Sequence, residues 1–312
     1  LQKIQKRFNI TVGKPVYNPA FTEKALLDED SKVVERFPYR GIVGALQWVV
    51  IVCRPDACVP VPTLARYVSR TPNRAMVGAC KKVFKYLITT ATVGIGYSWG
   101  REQAFRETYE PLLPEGRSLP DRNEFSDASF ASCFQTLRST SGSIIYFKSV
   151  PICWKMAKQT MRAYSTSESE FIACSDTLVL SESNNFATFF APLPTVVTEE
   201  RFGMVPDADN VVLWVDNTSA ISIAKSSECR PKSRHYALRY FRVRDNASKI
   251  CFCPTHLMKA DALTKLSCSL KQRDLLLLHN QDSVLPAGVE YDESEDVDQD
   301  QGTFLSIYFG SA

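Results

Sequence analysis

The stretch Val211–Asp216, VVLWVD, restricts the fold more than any other part of this 312-residue sequence. Its five consecutive apolar residues leave no polar side for water, as in a strand that is covered on both faces of a sheet and is typically parallel to its neighbours. Candidate helices follow at Thr218–Lys225 and, with many basic residues, at Lys232–Asp245. This alternation predicts an α/β fold in which helices cover a sheet.

Short β-rich segments separated by turn-type residues precede this strand and are interpreted as antiparallel strands. They are VGIGYSW (93–99), NEFSDASFAS (123–132), SGSIIYFKSV (141–150) and PICWKMAKQ (151–159). A helical stretch from about Ser167 to Phe190 follows them, and a further strand, KICFCPTH, and a helix from Lys259 follow the apolar strand. The expected core is therefore a mixed sheet with helices on its faces.

Residues 1–92 have the mixed polar and apolar pattern of a helical region. Their longest apolar run, Ile42–Cys53, is shorter than the roughly 20 residues that a membrane helix needs, and we interpret it as a buried core helix. Pro60 and Pro62 are expected to interrupt the segment between two helices. The predicted helices are Leu1–Phe8, Tyr39–Val52, Leu64–Ser69 and Arg74–Ile88.

The net charge of +3 hides an uneven distribution of charge. Residues 281–301 hold eight acids and no Lys or Arg, so the rest of the chain carries a net charge eight units higher, +11. A basic body suits a polyanionic partner such as nucleic acid, although many proteins reach such a charge without one. The acidic end is expected to be a disordered tail. Ten cysteines without a CxxC pair and only three histidines argue against a disulfide framework and a structural zinc site.

Three aspartates lie where predicted strands end or helices begin. Asp127 lies in the first strand of the sheet, Asp216 closes the apolar strand, and Asp261 opens the last helix. Acids at such positions can converge on one end of a sheet, and four convergent carboxylates can hold two Mg²⁺ ions about 4 Å apart. Helix capping is the alternative for Asp216-Asn217-Thr218 and for Asp261, and spacing does not exclude it.

The stretch YSTSESEF carries two glutamates, Glu168 and Glu170. On a helix, residues two positions apart leave the backbone on nearly opposite sides. Ser165-x-x-Glu168 is a capping box, which would give Glu168 a structural role at the helix start. Ser167-x-x-Glu170 fits the same pattern, so spacing alone does not choose between the two.

A series of motifs from about Leu1 to Leu266 resembles the polyprotein of copia-like LTR retrotransposons. The motifs resemble the end of the reverse transcriptase followed by the ribonuclease H domain, in this order: YRGIVGALQWVVIVCRPD, KKVFKYLITTATVGIGY, FSDASFAS, STSGSIIYF, ICWKMAKQTMRAYSTSESEF, VDNTSAISIAK, KSRHYALRYFRVRD and ADALTK. The resemblance implies a mostly helical reverse-transcriptase remnant, thumb- or connection-like, at 1–92, a ribonuclease H-like domain at 93–275 and an acidic tail at 276–312. The polymerase palm motif, Tyr-x-Asp-Asp, is absent from the sequence.

The resemblance also implies an α/β fold of the ribonuclease H type, a mixed five-stranded sheet with helices on both faces. In that fold a two-metal site is built from an Asp-Glu-Asp-Asp set. By position this catalytic and metal-binding set is Asp127, Glu170, Asp216 and Asp261. Glu170 is the match because the family's catalytic glutamate precedes a large apolar residue, any residue and then Ala. The implied cofactors are two Mg²⁺ ions, with Mn²⁺ as a substitute, and the implied reaction is hydrolysis of the RNA strand of an RNA–DNA hybrid.

Nucleic-acid contacts are expected from polar and basic residues around this set, namely Lys155, Lys158, Gln159, Arg162, Asn217, Lys232, Arg234 and His235. A solvated helix face is the alternative for those between Lys232 and His235. For His256, which precedes Asp261, an exposed loop position is favoured over a part in product release. Trp154 and Trp214 are expected in the core rather than as stacking platforms.

Departures from the family pattern keep other functions open. Ser129 and Phe130 stand where the family often has an acid and Trp, and Pro60 and Pro62 stand where it usually has a helix. A catalytically inactive fragment that binds nucleic acid or a partner is the alternative to an enzyme, and a DNA-cutting transposase or integrase relative is the third hypothesis. The sequence has no signal-peptide pattern, so a cytoplasmic (virus-like particle) or nuclear location without a membrane partner is expected. Its helix-like start indicates a fragment of a longer polypeptide, whose other parts are expected partners.

Overall fold

The computed structural model describes residues 1–8, 10, 13–27, 32–183, 210–226, 237–266 and 276. The described residues fall into two compact units. One consists of those within Leu1–Gly96 together with Lys265, Leu266 and Leu276, and the other spans Tyr97–Thr264. The predicted acidic tail lies outside the described residues except for Leu276, and so do the candidate contacts Lys232, Arg234 and His235.

The first unit is helical. Its helices are α1 (Gln2–Phe8), α2 (Glu23–Leu26), α3 (Tyr39–Cys53), α4 (Pro60–Ala65) and α5 (Arg74–Thr89), and a 3₁₀ turn at Pro55–Ala57 separates α3 from α4. The sequence predictions for α1, α3 and α5 are confirmed to within a residue or two at each end. The Asn73 side chain caps α5 by accepting a hydrogen bond of 2.8 Å from the Met76 backbone N–H.

The two prolines of this unit start a helix rather than interrupt the chain between helices. Pro60 is the first residue of α4 and Pro62 the third, so the prediction of a helix at Leu64–Ser69 was wrong. The first turn of a helix leaves its backbone N–H groups without intrahelical partners, and a proline, which lacks this group, loses no hydrogen bond there.

Helix α3 is only partly a core helix. Ile42, Val43 and Leu46 are fully buried, whereas Trp48 and Ile51 are 66% and 72% exposed. The expectation of a buried helix was therefore wrong for one of its faces. Among the described residues, no helix combines the length and the apolar character that crossing a membrane would require.

The second unit contains a five-stranded sheet. Its strands are β1 (Arg122–Ser129), β2 (Thr140–Phe147), β3 (Val150–Lys158), β4 (Val211–Val215) and β5 (Ile250–Phe252), in the order β3-β2-β1-β4-β5. β2 is antiparallel to β1 and β3, whereas β4 is parallel to β1 and β5. This mixed α/β architecture confirms the predicted fold class and is consistent with a ribonuclease H-like fold.

Four helices described in this unit are α6 (Trp99–Tyr109), α7 (Thr166–Ser183), α8 (Thr218–Lys225) and α9 (Ala237–Asp245). The prediction for α8 is confirmed at both ends. The predicted last helix from Lys259 is a short 3₁₀ turn, Lys259–Leu263.

The predicted strand VGIGYSW is wrong, because α6 begins at Trp99 and β1 is the first strand described in this unit. Gly94 and Gly96 have no side chains to pack in a strand. Downstream, α6 buries Phe105 and Tyr109, and Arg106 forms an i,i+4 ion pair with Glu102 at 3.3 Å.

Different side chains cover the two faces of the sheet. Phe105 and Tyr109 of α6 pack against Phe125, Tyr146 and Trp214, with the Tyr109 ring centroid 5.3 Å from that of Phe125 and 5.5 Å from that of Trp214. The other face packs against α7, α8 and α9 through a buried cluster that includes Phe171, Leu178, Leu213, Val215 and Tyr240. β4 is buried on both sides, which explains why its residues are all apolar. The prediction that Trp214 lies in the core is confirmed.

Candidate metal centre

Three carboxylates meet at one edge of the sheet. Asp127 lies near the end of β1, Asp216 directly follows β4, and Glu170 lies in the second turn of α7. One oxygen of each lies within 4.8 Å of the others. Parallel strands end at the same edge of a sheet, so the parallel pairing of β1 with β4 brings the two aspartates together.

Burial and the neighbouring carboxylates disturb the ionisation of Glu170. The Glu170 side chain is buried. This burial, reinforced by the charges of Asp127 and Asp216, raises the pKa of Glu170 to about 10. A hydrogen bond from the Ala128 backbone acts in the opposite direction, and the charge of Asp261 adds a small further rise of this pKa. Its Oε2 atom is buried without a hydrogen-bond partner among the described residues.

A bound cation would stabilise this group of carboxylates. Close carboxylates repel one another when ionised, and an unpartnered buried oxygen loses free energy of solvation. A hard divalent cation prefers ligand sets made only of oxygen atoms, and its charge would remove both penalties. The cluster of Asp127, Glu170 and Asp216 could therefore bind a metal ion.

Asp261 is near this cluster but is not one of the three residues that meet within 4.8 Å. It lies half-buried in the 3₁₀ turn Lys259–Leu263, and its charge reaches Glu170. Thr264 follows this turn and donates a hydrogen bond of 2.5 Å to Asp127 Oδ2.

Glu168 has the local role that its capping-box pattern predicts. The Ser165 hydroxyl accepts a hydrogen bond of 3.2 Å from the Glu168 backbone N–H, and Glu168 Oε2 accepts one of 3.0 Å from the Tyr164 backbone N–H. These bonds pair the N–H group of Tyr164, which precedes the helix, and that of Glu168 in its first turn. The two glutamates therefore differ, since Glu168 caps α7 and Glu170 faces the aspartates.

Several known proteins that resemble this chain over most of its length are Pol polyproteins of transposons. The Pol polyprotein of transposon RE2 from Arabidopsis thaliana, described as retrovirus-related, is 28% identical over 264 residues, which are 83% of this chain and 16% of that polyprotein. That of transposon TNT 1-94 from Nicotiana tabacum is 25% identical over 277 residues, which are 85% of this chain and 18% of that polyprotein. This chain is a homologue of copia-type Pol polyproteins.

The similarity covers only a small part of each Pol polyprotein. The chain spans only 16–18% of the length of these Pol polyproteins. A protein named secreted RxLR effector protein 161, from Plasmopara viticola, is 29% identical over 143 residues, which are 46% of this chain and 88% of that protein. No family model and no solved structure matches the chain.

The basic residues predicted to contact nucleic acid in this Pol homologue have different surroundings. Lys155 is exposed on β3. Lys158 Nζ lies 2.6 Å from Cys133 Sγ, and Arg162 Nε donates a hydrogen bond of 2.9 Å to the Thr136 carbonyl. Lys158 and Arg162 therefore stabilise the loop between β1 and β2 through hydrogen bonds. Burial would raise the pKa of the Cys133 thiol, but hydrogen bonds from Lys158, Thr136 and the Gln135 backbone together outweigh it and lower this pKa to about 7.

Gln159 and Asn217 make hydrogen bonds within the protein. Gln159 is 2% exposed, and its Nε2 donates hydrogen bonds to the Ser169 carbonyl at 2.8 Å and to Ser141 Oγ at 3.1 Å. It therefore fastens the first turns of α7, which carry Glu170, to β2. The Asn217 side chain caps α8 by accepting a hydrogen bond of 2.9 Å from the Ala220 N–H.

Sequence reasoning also left residues unassigned or only broadly placed. His256 is exposed in a 3₁₀ turn, as favoured, whereas Trp154, which was expected in the core, is only half-buried on β3. Thr264 and Gly142, which contact the turn of Asp261, were missed. Only the Thr264 position within the motif ADALTK, three residues after Asp261, offered a signal.

Proposed function

We propose that this Pol homologue is a ribonuclease H that hydrolyses the RNA strand of RNA–DNA hybrids. The observation that carries the proposal is the convergence of Asp127, Glu170 and Asp216 at the end of two parallel strands. The homology to Pol polyproteins supports the proposal, since the enzymatic parts of such a polyprotein need a site of this kind. In this proposal the enzyme comprises residues 93–275, preceded by a reverse-transcriptase-like part at 1–92 and followed by the acidic tail.

In the proposed mechanism the protein supplies the ligands and holds the substrate. Asp127, Glu170 and Asp216 bind divalent metal, and Asp261 provides a fourth carboxylate from its turn. Mg²⁺, or Mn²⁺ in its place, would supply an activated water and stabilise the leaving oxygen, leaving 3′-hydroxyl and 5′-phosphate ends. Glu170 would give up its proton on becoming a ligand, since the charge of a bound cation would offset the burial and the carboxylate repulsion that raise its pKa.

Substrate binding in the proposal depends on the surface around the carboxylates. Exposed Lys155 offers its charge to backbone phosphates, and Lys158 and Arg162 hold the β1–β2 loop in place beside it. Asn217 follows Asp216 directly and contacts the hybrid there. Glu170 faces the 2′-hydroxyl side of the RNA, which distinguishes RNA from DNA. Other parts of the polyprotein are the proposed protein partners.

The test uses the purified chain, a labelled RNA–DNA hybrid, and Mg²⁺ or Mn²⁺. We expect cleavage of the RNA strand by the unmodified protein and its loss in Asp216→Asn. Asp245→Asn is the matched control because Asp245 is exposed at the end of α9, and it should cleave normally. Cleavage that survives Asp216→Asn would reject the site, and hybrid binding without cleavage under either metal would favour the inactive fragment.

A further inference from the structure

Thr264 makes the shortest of the hydrogen bonds described around the proposed metal centre. Its hydroxyl lies 2.5 Å from Asp127 Oδ2 and 3.1 Å from the Asp261 backbone carbonyl oxygen. A threonine hydroxyl has one proton, and a bond to a carboxylate is shorter and stronger than one to a neutral carbonyl. The proton is therefore directed at Asp127. Thr264 is 5% exposed, so water has little access to this bond and its loss would be costly.

The chain segment before Thr264 is held close to the same strand. In the register of β1 and β2, Asp127 stands opposite Gly142. A Cβ atom at Gly142 would lie 2.8 Å from Thr264 Cγ2 and 2.9 Å from the Ala260 carbonyl oxygen. The turn Lys259–Leu263 thus packs directly on the backbone of β2, and a side chain at Gly142 would push it away.

Two independent contacts thus bind the turn of Asp261 to the strands beside Asp127. One is polar, between Thr264 and the Asp127 carboxylate, and the other is steric, at Gly142. Backbone bonds close the turn itself, since the Asp261 carbonyl accepts a hydrogen bond of 3.2 Å from the Thr264 N–H. The orientation of Asp127 and the position of Asp261 are therefore coupled through one side chain.

We infer that Thr264 is a positioning residue of the metal centre, an inference that rests on the proposed function. Its hydroxyl holds the Asp127 carboxylate in the orientation that faces Glu170 and Asp216, and the same residue keeps the turn of Asp261 beside them. Groups that orient metal ligands without touching the metal typically change metal affinity about 10- to 100-fold when they are removed. Thr264 acts through Asp127 and does not contact the substrate.

The test measures the affinity of the full chain for Mn²⁺ by isothermal titration calorimetry, without substrate. Thr264→Val keeps the shape of the side chain and removes the hydroxyl, and we expect at least about tenfold weaker Mn²⁺ binding. Thr264→Ser restores the hydroxyl and should bind within a few-fold of the unmodified protein. Thr177→Val is the matched control, since Thr177 is fully buried in the same unit and its hydroxyl bonds Ser143 and the Ala173 carbonyl.

Two further measurements separate positioning from a general loss of structure. Urea unfolding should place Thr264→Val and Thr177→Val at similar stability, with only Thr264→Val weakened in Mn²⁺ binding. In the cleavage assay, Thr264→Val should raise the metal concentration for half-maximal rate more than it lowers the rate at saturating metal. Equal Mn²⁺ affinity in Thr264→Val and Thr177→Val would overturn the role of Thr264 alone. Absence of Mn²⁺ binding by the unmodified protein, or binding unchanged by Asp216→Asn, would reject the metal centre and the inference with it.

Discussion

Glu168 Oε2 accepts a hydrogen bond of 3.0 Å from the Tyr164 backbone N–H, just before the start of α7. This bond holds the Glu168 carboxylate at the N-terminal start of α7, whereas the Glu170 carboxylate lies beside those of Asp127 and Asp216. Two glutamates that spacing alone could not tell apart thus have separate surroundings, and each substitution has its own expected result.

Glu168→Gln keeps a hydrogen-bond acceptor at the cap, so it should lower the free energy of unfolding by about 1 kcal/mol or less and leave cleavage intact. Glu170→Gln should abolish cleavage and Mn²⁺ binding. It should not destabilise the metal-free protein at pH 7, because the raised pKa of Glu170 makes the neutral form the stable one when folded. Urea unfolding in EDTA and the hybrid cleavage assay check both variants, and loss of cleavage in Glu168→Gln with retention in Glu170→Gln would reverse the assignment.

The sequence was most informative where structure is local. Thr218–Lys225 was predicted with its bounds and the strand Val211–Val215 to within one residue, because a run of apolar residues and an Asn cap act within a few positions. The Ser165–Glu168 cap was one of two four-residue patterns that the sequence offered, and the structure contains it. Pro60 was misinterpreted because a proline that breaks a helix and one that starts it look alike until the chain direction after it is known.

The site was only partly predictable. The resemblance to a family selected the acids, but the burial of Glu170 depends on the packing of α7 against the sheet, which no spacing rule contains. The bond between Thr264 and Asp127 joins residues 137 positions apart. Such contacts follow from strand order and register, and they could be found only once the fold was known.

The stability of the second unit should fall in acid partly through Glu102. The Glu102 carboxylate accepts a hydrogen bond of 2.7 Å from the Tyr97 hydroxyl and lies 3.3 Å from Arg106 Nε and 3.6 Å from Lys148 Nζ. Burial alone would raise the pKa of Glu102, but the Tyr97 bond and these two cations outweigh it and lower the pKa below the ordinary value of 4.5. The folded state therefore favours the ionised form.

A lowered pKa gives stability that is present above the ordinary value and is lost as the pH falls through the folded value. Glu102→Gln should therefore reduce stability at pH 7 and flatten the decline of the urea midpoint as the pH falls below the ordinary pKa of 4.5. Glu107→Gln is the control, since Glu107 is exposed on the same helix, and it should keep the decline of the unmodified protein. The same slope in Glu102→Gln and in the unmodified protein would contradict this role.

The first unit should depend on a buried ion pair. Arg54 Nε and Nη2 donate to the two Asp56 carboxylate oxygens at 2.9 and 2.7 Å, and Tyr86 and Thr90 complete the network. Arg54→Met leaves the Asp56 carboxylate buried without its cation and should cost about 3–5 kcal/mol. Arg40→Met, at an exposed arginine of α3, should change stability by no more than about 0.5 kcal/mol in urea unfolding. A small effect of Arg54→Met would mean that water or Tyr86 compensates for the lost charge.

Gly142 and Gly44 should respond to alanine with opposite signs. At Gly142 a Cβ atom would meet the Ala260 carbonyl oxygen at 2.9 Å, and this backbone atom can move only with the turn that carries Asp261. Gly142→Ala should therefore cost about 1–3 kcal/mol through overpacking and should weaken Mn²⁺ binding.

Gly44 lies within α3 with no atom within 4 Å of an added Cβ, so Gly44→Ala should stabilise the protein by up to about 1 kcal/mol through helix propensity. Urea unfolding measures both changes, and calorimetric titration with Mn²⁺ measures the affinity. Gly44→Ala should leave the affinity unchanged. Gly142→Ala could instead destabilise the chain but bind Mn²⁺ as tightly as Gly44→Ala. The packing of the turn Lys259–Leu263 on Gly142 would then matter for folding and not for the metal centre.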